Sequence, residues 1–317
     1  MERDTDPNSS TDATELNNLA LSLQEANRYA EAESLFRRAL EICEQNYGAN
    51  HPDVATALIN LAGLLQDTNR LTEAESLFRR ALAIDVNSSG ANHPNVAISL
   101  NNLAEFLRAT NRLAEAELLL RRAVEIDAQN CAESQPNGAI HLNNLAALLR
   151  ATNRLEEAEP MYERVVKTFE QCYGVSHPNV ATTLNNLAQL LKARNRFAEA
   201  EPLMRRALTI DMQSYGASHP SIARDLDSLA GLLDETNRRI EAEPLHRRAL
   251  FILLQAGGGV GGVHPYVQSA VTNYASACQQ MELAEDVWVP RLVETFHEAG
   301  VAEEKMREIL KLAFGGE

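Results

Sequence analysis

Aromatic residues make up only 5% of this 317-residue chain, and tryptophan occurs once, although 45% of the residues are hydrophobic. Aromatic side chains usually fill deep cores, so their scarcity beside abundant alanine and leucine points to close helix-on-helix packing rather than a sandwich or barrel. Cysteine is equally sparse. Cys43, Cys131, Cys172 and Cys278 show no CxxC spacing and lie far apart, a pattern that reads as reduced space-fillers within helices rather than a disulfide framework or thiolate metal site. No apolar run approaches the roughly 18–20 residues of a membrane span. Met1 to Asp12 is acidic and polar, without the basic start and apolar stretch of a secretory signal, so a soluble cytoplasmic protein is expected. Positive charge is also in deficit: 29 Lys and Arg stand against 44 Asp and Glu, a net charge of −15. Such a surface repels polyphosphate and anionic lipid, which argues against nucleic acid and membrane as partners.

The motifs of common enzyme chemistries are missing too. There is no GxxxxGK[ST], HExxH or GxSxG, and no nucleophile, base and orienting group recur at a spacing that would bring them together. Gly257, Gly259 and Gly262 satisfy GxGxxG in form, but a helical pattern precedes them where a dinucleotide site needs a strand, so an inter-repeat loop is the better reading. No catalytic residue, cofactor or metal is therefore expected.

What the chain does contain is repetition. The pair His-Pro stands at His51-Pro52, His93-Pro94, His177-Pro178 and His219-Pro220, a period of 42 with one degraded copy, Gln135-Pro136. A further pair, His264-Pro265, is displaced by three residues by the Gly-rich stretch 257–262. The histidines are a whole repeat apart, too far to share a metal ion, and suit turns and helix entry. Each period reads HPxVAxxLNNLAxLLxxxNRxxEAExLxRRALxI, most clearly from His177 to Ile210. Val180, Leu184, Leu187, Ala188 and Leu191 give an amphipathic first helix. Pro178 suits its first position, Asn195-Arg196 breaks it, and Ala200, Leu203, Ala207, Leu208 and Ile210 line one face of a second helix. Glu201 and Arg205, four apart, recur in the other copies as solvated surface pairs of small energetic value.

Columns of small residues distinguish this repeat from others of similar length. Ala62, Ala104, Ala146, Ala188 and Ala230 occupy one place in the first helix, and Ala74, Ala116, Ala158, Ala200 and Ala242 one place in the second, which lets neighbouring helices approach closely. This pattern resembles the tetratricopeptide repeat. LNNLA, EAEPL and RRALxI resemble, more narrowly, the long repeats of kinesin light chains and their bacterial relatives, over roughly Ala13 to Cys278. The heptad segment that joins kinesin light chains to a motor is lacking, so a motor role does not carry over. The resemblance implies an all-α, right-handed superhelix of helix-turn-helix repeats with a C-terminal helical cap.

The expected organisation is a disordered tail (1–12), repeats at 13–50, 51–92, 93–134, 135–176, 177–218 and 219–263, a partial repeat at 264–287 and a cap at 288–317. The fourth copy, with Gln135, Gly138, Glu163 and Val165 replacing the usual residues, is expected to be the softest joint. Pro160, Pro202 and Pro244 fall inside the second helix, where proline is normally costly.

One polar column stands beside the core of the first helix: Asn18, Asn60, Asn102, Asn144, Asn186 and Asn273, broken by Ser228. In the families this chain resembles, the first helices line a concave groove and Asn at the matching place contacts peptide backbone. An amide offers both donor and acceptor, as a clamp on an extended peptide requires. The alternative role is a bond to the neighbouring repeat. Six residues further on, Arg108, Arg150 and Lys192 place cations in the central repeats, whereas Asp234 follows in the sixth. The expected function is a non-enzymatic adaptor whose partner protein presents an acidic or C-terminal carboxylate peptide. Self-association through the C-terminal helices is the alternative.

Overall fold

A computed structural model describes residues 7–130, 135–256 and 265–314, with side chains from residue 13 onward. Cys131, His264 and the 257–262 loop lie outside the described residues. Among the described residues there are helices and turns but no strand, as the helical periodicity predicts. By contact the chain divides into two units, Met1–Arg154 and Leu155–Glu317, at the turn of the fourth copy.

The first unit contains α1 (Pro7–Glu25), α2 (Tyr29–Tyr47), α3 (Pro52–Asp67), α4 (Leu71–Ser89), α5 (Pro94–Ala109), α6 (Leu113–Gln129) and α7 (Pro136–Ala151). The second contains α8 (Leu155–Tyr173), α9 (Pro178–Ala193), α10 (Phe197–Tyr215), α11 (Pro220–Glu235), α12 (Arg239–Ala256), α13 (Val267–Gln280), α14 (Glu285–Glu298) and α15 (Glu303–Phe314). Within each unit, helices up to α13 that follow one another pack as hairpins, and each hairpin packs on the next; at the end of the chain α14 lies against α12 and α15 against α13.

The turn chemistry follows from the repeated residues. Asn27, Asn69, Asn111, Asn153, Asn195 and Asn237 all have φ between 58° and 62°. This left-handed conformation lets the following Arg N–H reach back to the helix, as Arg112 N–H does to the Leu107 carbonyl at 2.8 Å. Replacing Asn195 by Ala forces a Cβ-bearing residue without a polar side chain into that region. It should cost about 1 kcal/mol, read as a lower urea midpoint, while Asn195→Gly should not.

At the other turn, Gly48, Gly90, Gly174 and Gly216 have φ of 80° to 91° and open space where a Cβ would sit, so backbone conformation alone demands glycine. The histidines that follow are N-caps: Nδ1 of His51, His93, His177 and His219 accepts the backbone N–H two residues on at 3.2 Å. Tyr47, Tyr173 and Tyr215 stack on three of these rings at 4.4–4.7 Å. In the degraded copy, Gln135 makes no side-chain cap.

The alanine columns are the closest points of the packing. Ala62, Ala104, Ala146, Ala188 and Ala230 in the first helices, and Ala74, Ala116, Ala158, Ala200 and Ala242 in the second, are all completely buried. The three internal prolines are accommodated because they and the residues four positions before them, Glu156, Ala198 and Ile240, are exposed. The carbonyl that each proline deprives of a donor is thus on a residue facing water.

The structure shifts both expected ends of the array. Helix α1 starts at Pro7 rather than near Ala13. Proline's fixed φ presets a helix start, and adding residues to a formed turn is cheaper than nucleating one. Residues 1–6 lie outside the description. At the other end, Glu282 adopts φ 56° and Leu283 N–H bonds the Cys278 carbonyl, repeating the Asn-Arg turn. Helix α14 therefore begins at Glu285, ahead of the expected boundary at Trp288. Trp288, Leu292, Phe296, Met306 and Ile309 are buried against Val267, Val271 and Tyr274, whereas Val289 and Leu312, on the same two helices of the cap, are exposed. Cys43 and Cys278 are buried and free, and Cys172 is exposed rather than a space-filler.

Candidate functional site

The amide column lies on the first helix of each hairpin. Asn18 is exposed, and Asn60, Asn102, Asn144, Asn186 and Asn273 are half-buried. In the first unit, Asn60 Nδ2 donates to Asn17 Oδ1 at 2.8 Å and Asn144 Nδ2 to Asn101 Oδ1 at 2.9 Å. In the second, Asn273 Nδ2 donates to both carboxylate oxygens of Asp227, at 3.1 and 2.9 Å. At these three places the second residue of the pair bonds the first residue of the preceding repeat's pair. Sequence reasoning had passed over that first column, Asn17, Asn101, Asn143, Asn185 and Asp227, although LNNLA displays it. Repeat 2 carries Ile59 at this place, and among the described residues Asn102 makes no side-chain hydrogen bond. Its donor and acceptor are both available.

The expected cations differ from one another. Arg108 is exposed, with Nη2 2.8 Å from Glu105 of its own helix. Arg150 is half-buried, and its Nε lacks a partner among the described residues. Lys192 is largely buried, with Nζ 3.1 Å from Glu235 of the next repeat. Its charge is already matched.

A second inter-repeat column was not visible as such in the sequence. The ends of α4, α6 and α10 each send a polar residue against the next first helix: Asp85 to Ser99 at 2.5 Å and Asp127 to His141 Nδ1 at 2.7 Å, all buried. At the third such pair both residues are acids, Asp211 and Asp225, 1% and 2% exposed. Asp225 Oδ1 accepts from Asn185 Nδ2 at 3.0 Å and from Arg224, whereas Asp211 Oδ1 and Asp225 Oδ2 are buried without a donor. Two carboxyls placed so close are satisfied by holding one proton between them. Burial is the main cause that raises both, with Asp225 pushed up to about 7.

The sixth repeat contains a further cluster. Phe36, Phe78, Leu120, Tyr162 and Met204 fill one core column of the second helix; the next member is His246, 3% exposed. Its Nδ1 lies 2.8 Å from Asp227 Oδ1 and its Nε2 2.9 Å from Asp234 Oδ2. Burial alone would push this imidazole down, but the two carboxylates outweigh it and its pKa lies above the usual histidine value. Both nitrogens donate only in the imidazolium form. A polar cavity of about 440 Å³ opens beside this clamp, and Asp227 and Ser228 also line a second cavity of about 500 Å³.

The turns and second helices carry a chain of ion pairs. After the first repeat, the turn arginines bridge their own repeat and the one before: Arg112 bonds Glu115 and Glu75, and Arg238 bonds Glu241 and Glu201, at 2.6–2.8 Å. Burial raises the Glu201 carboxyl, yet Arg238 and Arg205 together hold it below the ordinary value. Exposed pairs of this kind are each worth less than about 1 kcal/mol, and they leave this surface internally neutralised. No group of three or more potential metal ligands occurs among the described residues, and no described helix is long and apolar enough to cross a membrane.

The tetratricopeptide repeat family model matches residues 11–85, 53–129 and 139–213. No curated protein matches the sequence. Among solved structures, BtubC (BKLC) from P. vanneervenii is 23% identical, with a TM-score of 0.60 over 81% of this chain and 95% of that one. The kinesin light chain nearly identical TPR-like repeats of Podosopora anserina are 24% identical, with a TM-score of 0.53 over 68% of this chain and 99% of that one. Pseudomonas aeruginosa pilF is 21% identical, with a TM-score of 0.52 over 75% and 90%. At these identities the likeness is one of fold. Tetratricopeptide repeats generally mediate protein–protein interaction. Matched over more than half its length, and built of hairpins whose turns, caps and alanine columns recur with one period, the chain belongs to the tetratricopeptide repeat family.

Proposed function

We propose that this protein is a non-enzymatic, cytoplasmic adaptor that holds an extended peptide of a partner protein against its first helices. The carrying observation is Asn102, a half-buried amide in the ladder column whose donor and acceptor are unengaged, on the same helix as Arg108. A peptide backbone needs both functions from one side chain, and an amide supplies them without regard to peptide sequence. The other ladder residues, Asn18, Asn60, Asn144, Asn186 and Asn273, extend the contact. In the first unit Arg108 and Arg150 select an acidic segment or C-terminal carboxylate by charge-assisted hydrogen bonds. Lys192, matched by Glu235, contributes less to that selection than its sequence position suggests.

Selection of a random peptide display library on the immobilised protein tests this reading. It should enrich an acidic motif class that disappears with Arg108→Glu combined with Arg150→Glu, and that weakens about tenfold or more with Asn102→Ala. Enrichment unchanged by all three substitutions would overturn it. The alternative of self-association through the C-terminal helices is favoured by exposed Val289, Leu312 and Phe314 on α14 and α15. A monomer by sedimentation at about 100 μM, well above a micromolar Kd, would remove it.

A further inference from the structure

In the sixth repeat four columns change together. The first ladder position becomes Asp227, the second Ser228, the cation column Asp234, and the apolar core column His246. Independent drift at four places would scatter them, but here they meet: His246 joins Asp227 to Asp234, and Asn273 of the next repeat bonds Asp227. The polar cavity beside them is lined by Asp227, Asp234, Glu235, Lys192 and His246. Its three carboxylates face two cations, Lys192 and the imidazolium, which leaves one negative charge in excess.

The adjoining cavity has a different character. Asp227 and Ser228 line it, Ala223, Ala249, Leu253 and Ala270 supply its apolar wall, and Arg224, whose charge is matched by Asp211 and Asp225, borders it. In three earlier repeats the corresponding space holds a polar inter-repeat pair, Asp85 with Ser99, Asp127 with His141 and Asp211 with Asp225. Here the equivalents are Leu253 and Ala270, both apolar and one of them small, and the space is open. The first unit shows the same relation, with Cys43 and Ala57 at the equivalent places lining a cavity of about 320 Å³. Together, the two second-unit cavities form a cleft between α11 and α13 with an acidic end and an apolar end, sharing Asp227 and Ser228.

We propose that this cleft is a specificity site for a partner peptide that presents a basic side chain next to an apolar one. The ammonium or guanidinium group sits against Asp234 and Glu235, replacing part of the compensation Lys192 now provides, and the apolar side chain enters the Leu253–Ala270 pocket. His246 is a positioning residue: it bonds Asp227 Oδ1 and Asp234 Oδ2 and so fixes both aspartates beside the cleft. This inference rests on the peptide-binding reading, but it assigns the second unit a preference opposite in charge to that of Arg108 and Arg150 in the first.

Backbone and side-chain amide NMR spectra of the full chain, titrated to about 5 mM peptide so that millimolar affinities register, test it. The probes are blocked hexapeptides of glycine and alanine carrying Leu-Lys, Leu-Gln, Leu-Glu or Ala-Lys at the centre. The Leu-Lys peptide should shift the Gly231, Asn273 and Ala270 resonances with an affinity at least about fivefold above each of the others. Asp234→Asn should remove that preference. His246→Met, which restores the residue type of the preceding repeat and keeps the core filled, should weaken it with little change in melting temperature. Leu253→Asp with Ala270→Ser, recreating the pair formed by Asp85 and Ser99, should abolish the leucine contribution and leave the lysine contribution. Equal binding of the Lys, Gln and Glu peptides, or shifts confined to Asn102 and its neighbours, would overturn this inference while leaving the peptide-binding reading intact. No shift from any of the four peptides at these residues would overturn the inference, and acidic peptides from the display selection would still test the other reading.

Discussion

Ala188→Leu should lower the melting temperature by about 5–10 °C, or leave no folded second unit at all. Ala188 is fully buried in α9, at the same place in its helix as Ala62, Ala104, Ala146 and Ala230, and each of these has no exposed surface. Helices that approach closely enough to bury a methyl group there have no room for an isobutyl group. Forcing one in costs about 1–3 kcal/mol where the neighbours can shift, and more where they cannot, as between two packed hairpins. In a chain this long each kcal/mol moves the midpoint by about 2–4 °C. The control is Leu203→Ala, on the half-buried side of α10, which should have a smaller effect. Thermal unfolding followed by circular dichroism reads both. Because repeat arrays can unfold in parts, the change should appear as an early transition rather than a shift of the whole curve. An unchanged melt for Ala188→Leu would mean that the hairpins are not held at the spacing described.

Asp225→Asn should stabilise the protein at pH 8 by about 3 °C or more and have little effect near pH 4. The sign follows from linkage. In the folded protein Asp225 is raised to about 7 by burial and by Asp211, whereas in the unfolded chain it titrates at its ordinary value of 3.8. Between those values the native state binds a proton that the unfolded state has released, so stability falls as pH rises. The stabilising contribution is complete below about pH 4 and is lost as pH passes through about 7. An asparagine at this place donates to Asp211 without needing a proton, and its carbonyl still accepts from Asn185. The variant's stability should therefore be the flatter of the two between pH 5 and 8. If both proteins follow the same pH curve, the carboxyls do not share a proton.

How much of this was legible in the sequence depends on whether an interaction stays within one column or joins two. The His-Pro caps, the left-handed Asn of each turn and the buried alanines each belong to a single column, so the 42-residue period shows them directly. The helical class followed, and the structure agrees with it. Interactions between columns were harder to see. Glu75 and Arg79, four apart, read as an ordinary surface pair, yet Glu75 also accepts from Arg112, 37 residues on. Asn144 meets Asn101 at a separation of 43, and His141 meets Asp127 at 14. A period reveals which residues are equivalent but not which equivalent sets face one another across a repeat boundary. That depends on the angle and offset of stacking, which only coordinates supply.

His246 illustrates the same limit from the other side. As one histidine in an apolar column it was visible against Phe36, Phe78, Leu120, Tyr162 and Met204. Its meaning required knowing that this column lies within reach of both Asp227 and Asp234. From the sequence, Asp234 stood out only as an acid where earlier repeats carry a cation. The clamp shows that part of the charge on Asp227 and Asp234 is already compensated, and that the second unit's surface differs in kind from that of Arg108 and Arg150.

The claim that the first helices form the binding surface is tested most directly by site-specific photocrosslinking. A benzophenone amino acid is placed at Asn102 in one variant and at Leu118, which is 69% exposed on a second helix, in another. Each is irradiated with the acidic peptide enriched by display selection. A covalent adduct should form from position 102, competed away by unlabelled peptide, and none from position 118. Adduct formation at 118 with none at 102 would contradict that claim and move binding to the second helices.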